Sequence, residues 1–146
     1  MVKHRKSVGL KAKRSGDAFE REIMMRCGLE RVGCIRIPNG CKWISGTKVV
    51  PVKSPFDFIM VYEGKIAFID TKVRGADRLS FSDLEPHQLR ALRLATDTTE
   101  AIGGYLCKLS GVMCFFSIEQ LCNLERHESL RIEDGLAISN MRDFLS

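Results

Sequence analysis

The chain has 146 residues, 45% of them hydrophobic, and a formal net charge of +5. That length suits one domain of ordinary size with a real core. No apolar run is long enough to cross a bilayer, and the basic N-terminus lacks the apolar segment of a signal peptide, so a cytoplasmic protein is expected.

Residues 1–14 carry Lys3, His4, Arg5, Lys6, Lys11, Lys13 and Arg14 and no acid. Their low apolar content predicts a flexible basic arm ahead of a single domain over residues 15–146. Such an arm either attaches electrostatically to phosphates or serves solubility alone. Ser15-Gly16-Asp17 opens a helix reaching about Arg26, with Phe19, Ile23 and Met24 as its apolar stripe and Gly28 as its stop. Glu20 follows Phe19 on that helix. Cys34 to Ile37 reads as a short strand. Residues 39–53 read as irregular, punctuated by Asn39-Gly40 and Ser45-Gly46. Lys42, Trp43, Lys48 and Lys53 make that stretch basic with one aromatic, a composition that contacts DNA by charge and stacking. Trp43 fits equally as a partly buried packing residue.

Asp57 to Tyr62 is an apolar strand-like run, Glu63-Gly64 a turn signal, and Lys65 to Lys72 a second strand. A two-residue loop pairs Tyr62 with Lys65 and carries Asp57 opposite Asp70. Alternation puts Asp70 and Lys72 on one face. Opposed side chains lie roughly 4.5–5.5 Å apart, where like charges repel. A divalent cation converts that repulsion into attraction, so the pattern suits a hard metal ion beside a lysine. Both strands are apolar on both faces, which predicts a central hairpin covered on both sides.

Val73 to Arg78 is a polar loop that offers Arg74 and Arg78. Ser80 or Ser82 is the expected cap of a helix that tolerates Pro86 in its first turn and runs to about Ala95. Tyr105–Leu109 and Val112–Phe116 read as two further strands, and Ser117 as the cap of a helix through Leu124. The tail from His127 gives no clear signal. Six cysteines, at 27, 34, 41, 107, 114 and 122, form no CxxC pair and match no closed zinc site. They are expected reduced and mostly buried. The order α-β-β-β-α-β-β-α predicts an α/β mixed sheet flanked by helices.

Gly16-x-x-Phe19-Glu20, Asp57, Asp70-x-Lys72 and His87-Gln88, in that order on those elements, resemble the PD-(D/E)XK nuclease superfamily. Within it the pattern looks like RecU-type Holliday junction resolvases of Gram-positive bacteria and their phages, over roughly residues 14–125. Archaeal-type resolvases and smaller phage nucleases are alternative relatives. Two departures stand out: Asp70 occupies a place where Glu is commoner among resolvases, and Phe56 separates Pro55 from Asp57. The segment before Asp57 is short for a RecU stalk, and residues 39–53 are a candidate reduced version.

The resemblance implies a restriction-endonuclease-like fold and Mg²⁺-dependent phosphodiester hydrolysis, with Mn²⁺ as a substitute. Asp57 and Asp70 would be the main metal ligands, with the Thr71 backbone carbonyl and Glu20 as further ones. Lys72 would orient the attacking water or stabilise phosphate charge, and Gln88 would support it by hydrogen bonding. His87, Arg74 and Arg78 join the DNA-contact candidates. The implied partner is a four-way DNA junction in a bacterial cell or phage-infected host. It is cut in two symmetric places by a homodimer, with no membrane and no small-molecule cofactor. Two other classes share these residues: a nuclease acting on linear or nicked duplex, and a non-catalytic DNA-binding module. The intact Asp57, Asp70 and Lys72 set argues against the second.

Overall fold

The computed structural model describes residues 2–46 and 48–145; for residues 2–12, 41–44 and 51 it describes the backbone alone. Helix α1 (Val2–Glu30) is followed by strands β1 (Gly33–Arg36), β2 (Gly40–Ser45), β3 (Lys48–Val52), β4 (Phe58–Tyr62), β5 (Lys65–Arg74) and β6 (Arg78–Ser80). Helix α2 (Pro86–Asp97), strands β7 (Ile102–Leu109) and β8 (Val112–Ser117), helix α3 (Ile118–Cys122) and short strands β9 (Ser129–Arg131) and β10 (Leu136–Ala137) complete the chain. The main sheet has six strands in the order β1-β4-β5-β7-β8-β10. The β5–β7 pairing is parallel and the others are antiparallel. The parallel pair follows from α2, which supplies the crossover that parallel strands require.

The hairpin register agrees with the sequence expectation. Tyr62 pairs with Lys65 and the ladder runs to Phe58 opposite Ile69. Glu63 and Gly64 both have positive φ, 48° and 77°, which is the two-residue turn whose twist matches the strands. Coverage of the hairpin is uneven. Phe58, Met60, Ala67 and Ile69 are fully buried, whereas Val61 and Ile66 near the turn are exposed. The covered face packs on Phe19, Ile23 and Cys27 of α1 and on Ile138, Met141, Phe144 and Leu145 of the tail. The opposite face of β7 and β8 packs on Leu92 of α2 and on Ile118 and Leu121 of α3.

Several expectations need correction. The first helix starts well before Ser15, and the backbone of the basic N-terminal residues is helical; Lys, Arg, Leu and Ala there are good helix formers. It does not stop at Gly28. Arg31 takes the left-handed conformation instead (φ 58°), and Val32 N–H closes back onto the Cys27 carbonyl at 2.9 Å. Residues 39–53 are not irregular, because β2 and β3 form a separate two-stranded hairpin there. Ser80 caps a short 3₁₀ turn, Phe81–Asp83, while Glu85 is the residue preceding α2. The tail is part of the core: the Phe144 ring stacks on Phe115 with centroids 4.8 Å apart. Several polar contacts tie α1 down. Glu30 accepts the Met141 N–H at 2.7 Å, Arg26 donates to the Ser139 carbonyl at 2.6 Å, and Lys108 pairs with Glu22 at 2.9 Å. Cys27, Cys107 and Cys114 are buried free thiols, as expected, but Cys122 is exposed. Among the described residues no helix is long and apolar enough to cross a membrane.

Candidate active site

Asp57 sits just before β4, where its backbone N–H bonds the Ile69 carbonyl at 3.0 Å and its own carbonyl accepts from Ile37 at 2.9 Å. Its Oδ2 accepts both the Thr71 N–H, at 2.8 Å, and the Thr71 hydroxyl, at 3.0 Å. One carboxylate is thereby fixed by two donors from the neighbouring strand. Thr71, singled out in the sequence for its carbonyl, spends its N–H and hydroxyl clamping Asp57.

Asp70 is the one buried acidic residue among those described, with 1% exposure. Its Oδ2 is buried without a hydrogen-bond partner. Burial pushes its carboxyl up to about 8, Asp57 adds to that, Lys72 opposes it, and Glu85 adds a smaller push. A charge so placed is costly unless something positive meets it. Glu20 approaches from α1. Its Oε2 lies 2.9 Å from the Arg36 guanidinium, but out of hydrogen-bond alignment, and is otherwise buried and unpartnered. Burial raises its carboxyl above the usual range; Arg36 opposes that, and Asp57 and Asp17 reinforce it. Glu20, Asp57 and Asp70 are thus electrostatic neighbours in series, with Asp57 in the middle.

Lys72 is 11% exposed and pairs with Glu85 Oε2 at 3.6 Å. Its ammonium stands 5.5 Å from the centre of the Tyr105 ring. Tyr105 donates its hydroxyl proton to Gln88 Oε1 at 2.8 Å and receives the Glu85 N–H at 3.4 Å. Gln88 therefore reaches the site through Tyr105, and its amide nitrogen is the end left to donate. His87 Nε2 lies 3.8 Å from Glu85 Oε2 on the exposed rim.

The remaining candidates are more dispersed. Arg74 is held by Asp83 at 2.9 Å and by the Val73 carbonyl at 2.8 Å, and Arg78 pairs with Asp77 at 3.2 Å. Lys13, Arg14, Lys48 and Lys53 are exposed. The side chains of Lys3, Arg5, Lys6, Lys11, Lys42 and Trp43 lie outside the described residues. Three site residues had escaped sequence reading: Glu85, Tyr105 and Arg36. Tyr105 had left one signal, a lone hydroxyl in a strand-like run whose other polar side chain is Lys108.

The donor set around the end of the β4–β5 ladder is all oxygen, which suits a hard cation. Among the described residues no three His, Cys, Asp or Glu side chains converge on one point. The protein offers the Asp57 and Asp70 carboxylates, with Glu20 beyond them. Mg²⁺ needs no more, since it is commonly bound by one or two carboxylates and completes its shell with water and substrate phosphate. The orphaned, buried Oδ2 of Asp70 is the observation that fits it.

A mixed sheet with a parallel centre, helices on both faces and a carboxylate pair where the β4–β5 ladder ends is a restriction-endonuclease-like fold. Among solved structures the chain is similar to Hjc, a Holliday junction resolvase from the archaeal hyperthermophile Archaeoglobus fulgidus. The TM-score is 0.59 and the identity 20%, covering 84% of this chain and 96% of that one. No protein-family model and no curated protein matches the sequence.

Proposed function

We propose that the chain is a metal-dependent, structure-specific DNA endonuclease of the PD-(D/E)XK type that resolves four-way junctions by paired symmetric cuts. The carrying observation lies where the β4–β5 ladder ends: Asp70 is buried with an orphaned oxygen beside Asp57, while Lys72, two residues on along β5, shares its face. The likeness in fold to a Holliday junction resolvase supports the choice of substrate. The RecU-like motif order supports the finer assignment within the superfamily. Asp57 and Asp70 would hold Mg²⁺, with the Thr71 carbonyl and Glu20 as additional oxygens. Bound there, the ion supplies Lewis acidity toward the phosphate and lowers the pKa of water.

The chain's own residues do the rest. Thr71 holds Asp57 in one orientation. Lys72 brings positive charge to the scissile phosphate or orients the attacking water. Gln88, anchored by Tyr105, offers its amide to the same group. Exposed Lys13, Arg14, Lys48 and Lys53 add phosphate contacts that position DNA without reading its sequence. Two symmetric cuts on a near two-fold junction call for a homodimer.

Incubating the protein with a synthetic four-way junction and a matched duplex, in Mg²⁺ or EDTA, tests the proposal. Paired incisions on the junction alone, absent in EDTA, are expected. Equal cutting of duplex would leave a nuclease without junction specificity, and tight binding without cutting would leave a DNA-binding module.

A further inference from the structure

We propose that Glu85 and Tyr105 are positioning residues for Lys72, holding its ammonium away from the Asp57–Asp70 pair and toward the phosphate. The inference rests on the nuclease reading and adds to it two residues that the sequence motifs do not contain. A lysine on a flexible stem beside a buried carboxylate should simply neutralise it. Among the described residues, however, Lys72 lies within ion-pair distance of Glu85 and not of Asp70. That choice leaves Asp70 Oδ2 without a partner and open to a cation.

The arrangement that enforces it is built from two elements. Tyr105 lies on β7 in parallel register with Asp70 on β5, fully buried beneath the lysine. Its ring face attracts the ammonium. Its hydroxyl docks the first turn of α2 by accepting the Glu85 N–H and donating to Gln88. The turn is closed by Gln88 N–H onto the Glu85 carbonyl at 3.0 Å. The Glu85 backbone is thereby fixed, and its carboxylate lies 3.6 Å from the Lys72 ammonium, near enough to Asp70 to add to the push on that carboxyl. A free lysine side chain samples many rotamers on its flexible stem. Ring and carboxylate together remove part of that freedom before substrate arrives. A buried tyrosine hydroxyl is expensive unless bonded, and this network is what satisfies it.

Two readouts test the proposal. The first needs neither metal nor DNA. Lysines are reductively ¹³C-dimethylated, and the Lys72 signal is assigned by its loss in Lys72→Arg. Wild type should show that signal displaced upfield by the Tyr105 ring, and Glu85→Gln should move it toward the position of exposed lysines. Tyr105→Phe, which keeps the ring, should retain most of the displacement unless α2 loosens. The second readout is junction cleavage. Glu85→Gln should lower kcat by about tenfold to a hundredfold with KM within about twofold, and Glu85→Asp should recover part of the loss. An unmoved Lys72 signal with unchanged kcat would overturn the proposal, as would an effect on KM alone, which would make Glu85 a surface acid that merely repels DNA. A wild type that shows the displaced signal but cuts no DNA would overturn the nuclease reading while upholding the lysine geometry.

Discussion

Replacing Asp70 by asparagine keeps the size of a fully buried side chain and removes its titration. The wild-type carboxyl ionises near pH 8 in the folded protein against 3.8 ordinarily, with burial the main cause and Asp57 the next. A raised carboxyl pKa means the fold favours the protonated form. The stability it contributes is complete below pH 3.8 and is lost as pH rises through about 8. Each pH unit in that window costs about 1.4 kcal/mol, which caps the loss at about 6 kcal/mol. Asp70→Asn should match wild type near pH 4 and exceed it increasingly toward pH 8. Half the ceiling, about 3 kcal/mol, raises the melting temperature of a chain this size by roughly 6–12 °C. The assay is thermal and urea unfolding of both proteins in EDTA from pH 4 to 9, and then with Mg²⁺ added. Mg²⁺ should stabilise wild type at pH 8 and leave Asp70→Asn nearly unmoved. Parallel pH curves for the two proteins, or a variant less stable than wild type at pH 8, would refute the reasoning.

Other substitutions probe the supports of the site. Thr71→Val removes the hydroxyl donor to Asp57 but keeps the backbone donor, so the Mg²⁺ needed for half-maximal cleavage should rise roughly fivefold, with a melting temperature lowered by only a few degrees. Lys72→Gln should abolish cleavage while junction binding, read by gel shift, persists. At Gly104 a methyl group would run into the Phe116 carbonyl and the Phe115 ring, so Gly104→Ala should cost about 3 kcal/mol or more in urea unfolding. Gly64→Ala meets open space but sits at a φ of 77°, so the same measurement should show a loss of about 1 kcal/mol from backbone strain alone.

The hairpin was legible in the sequence because its information is local. A Glu-Gly turn between two apolar runs sets the register as far as Phe58 opposite Ile69; just past that pair the Asp57 N–H shifts onto the Ile69 carbonyl and its carboxylate meets Thr71, beside Asp70. Ser117 as the cap of α3 is another local signal, and its side chain does accept the Gln120 N–H. What escaped reading depends on long-range packing. The tail reads as mixed and only mildly amphipathic, with no role to assign, yet Met141, Phe144 and Leu145 bury against the α1 face once the sheet exists to receive them. Residues 40–52 lack strand-like alternation but pair with each other as β2 and β3. Glu85 reads in sequence as an ordinary acid before a helix proline; only the docking of α2 on Tyr105 brings it to Lys72. The motif order resembles RecU-type enzymes, whereas the similar solved structure is an archaeal resolvase, and what the two share is the fold expected from the sequence.

The most direct test of the account is cleavage of a labelled four-way junction by wild type and Asp70→Asn at equal binding, with Mg²⁺ present. The account predicts paired incisions by wild type and none by a variant that folds at least as well and still binds the junction. Undiminished cutting by Asp70→Asn would place the chemistry away from this carboxylate pair and contradict the account.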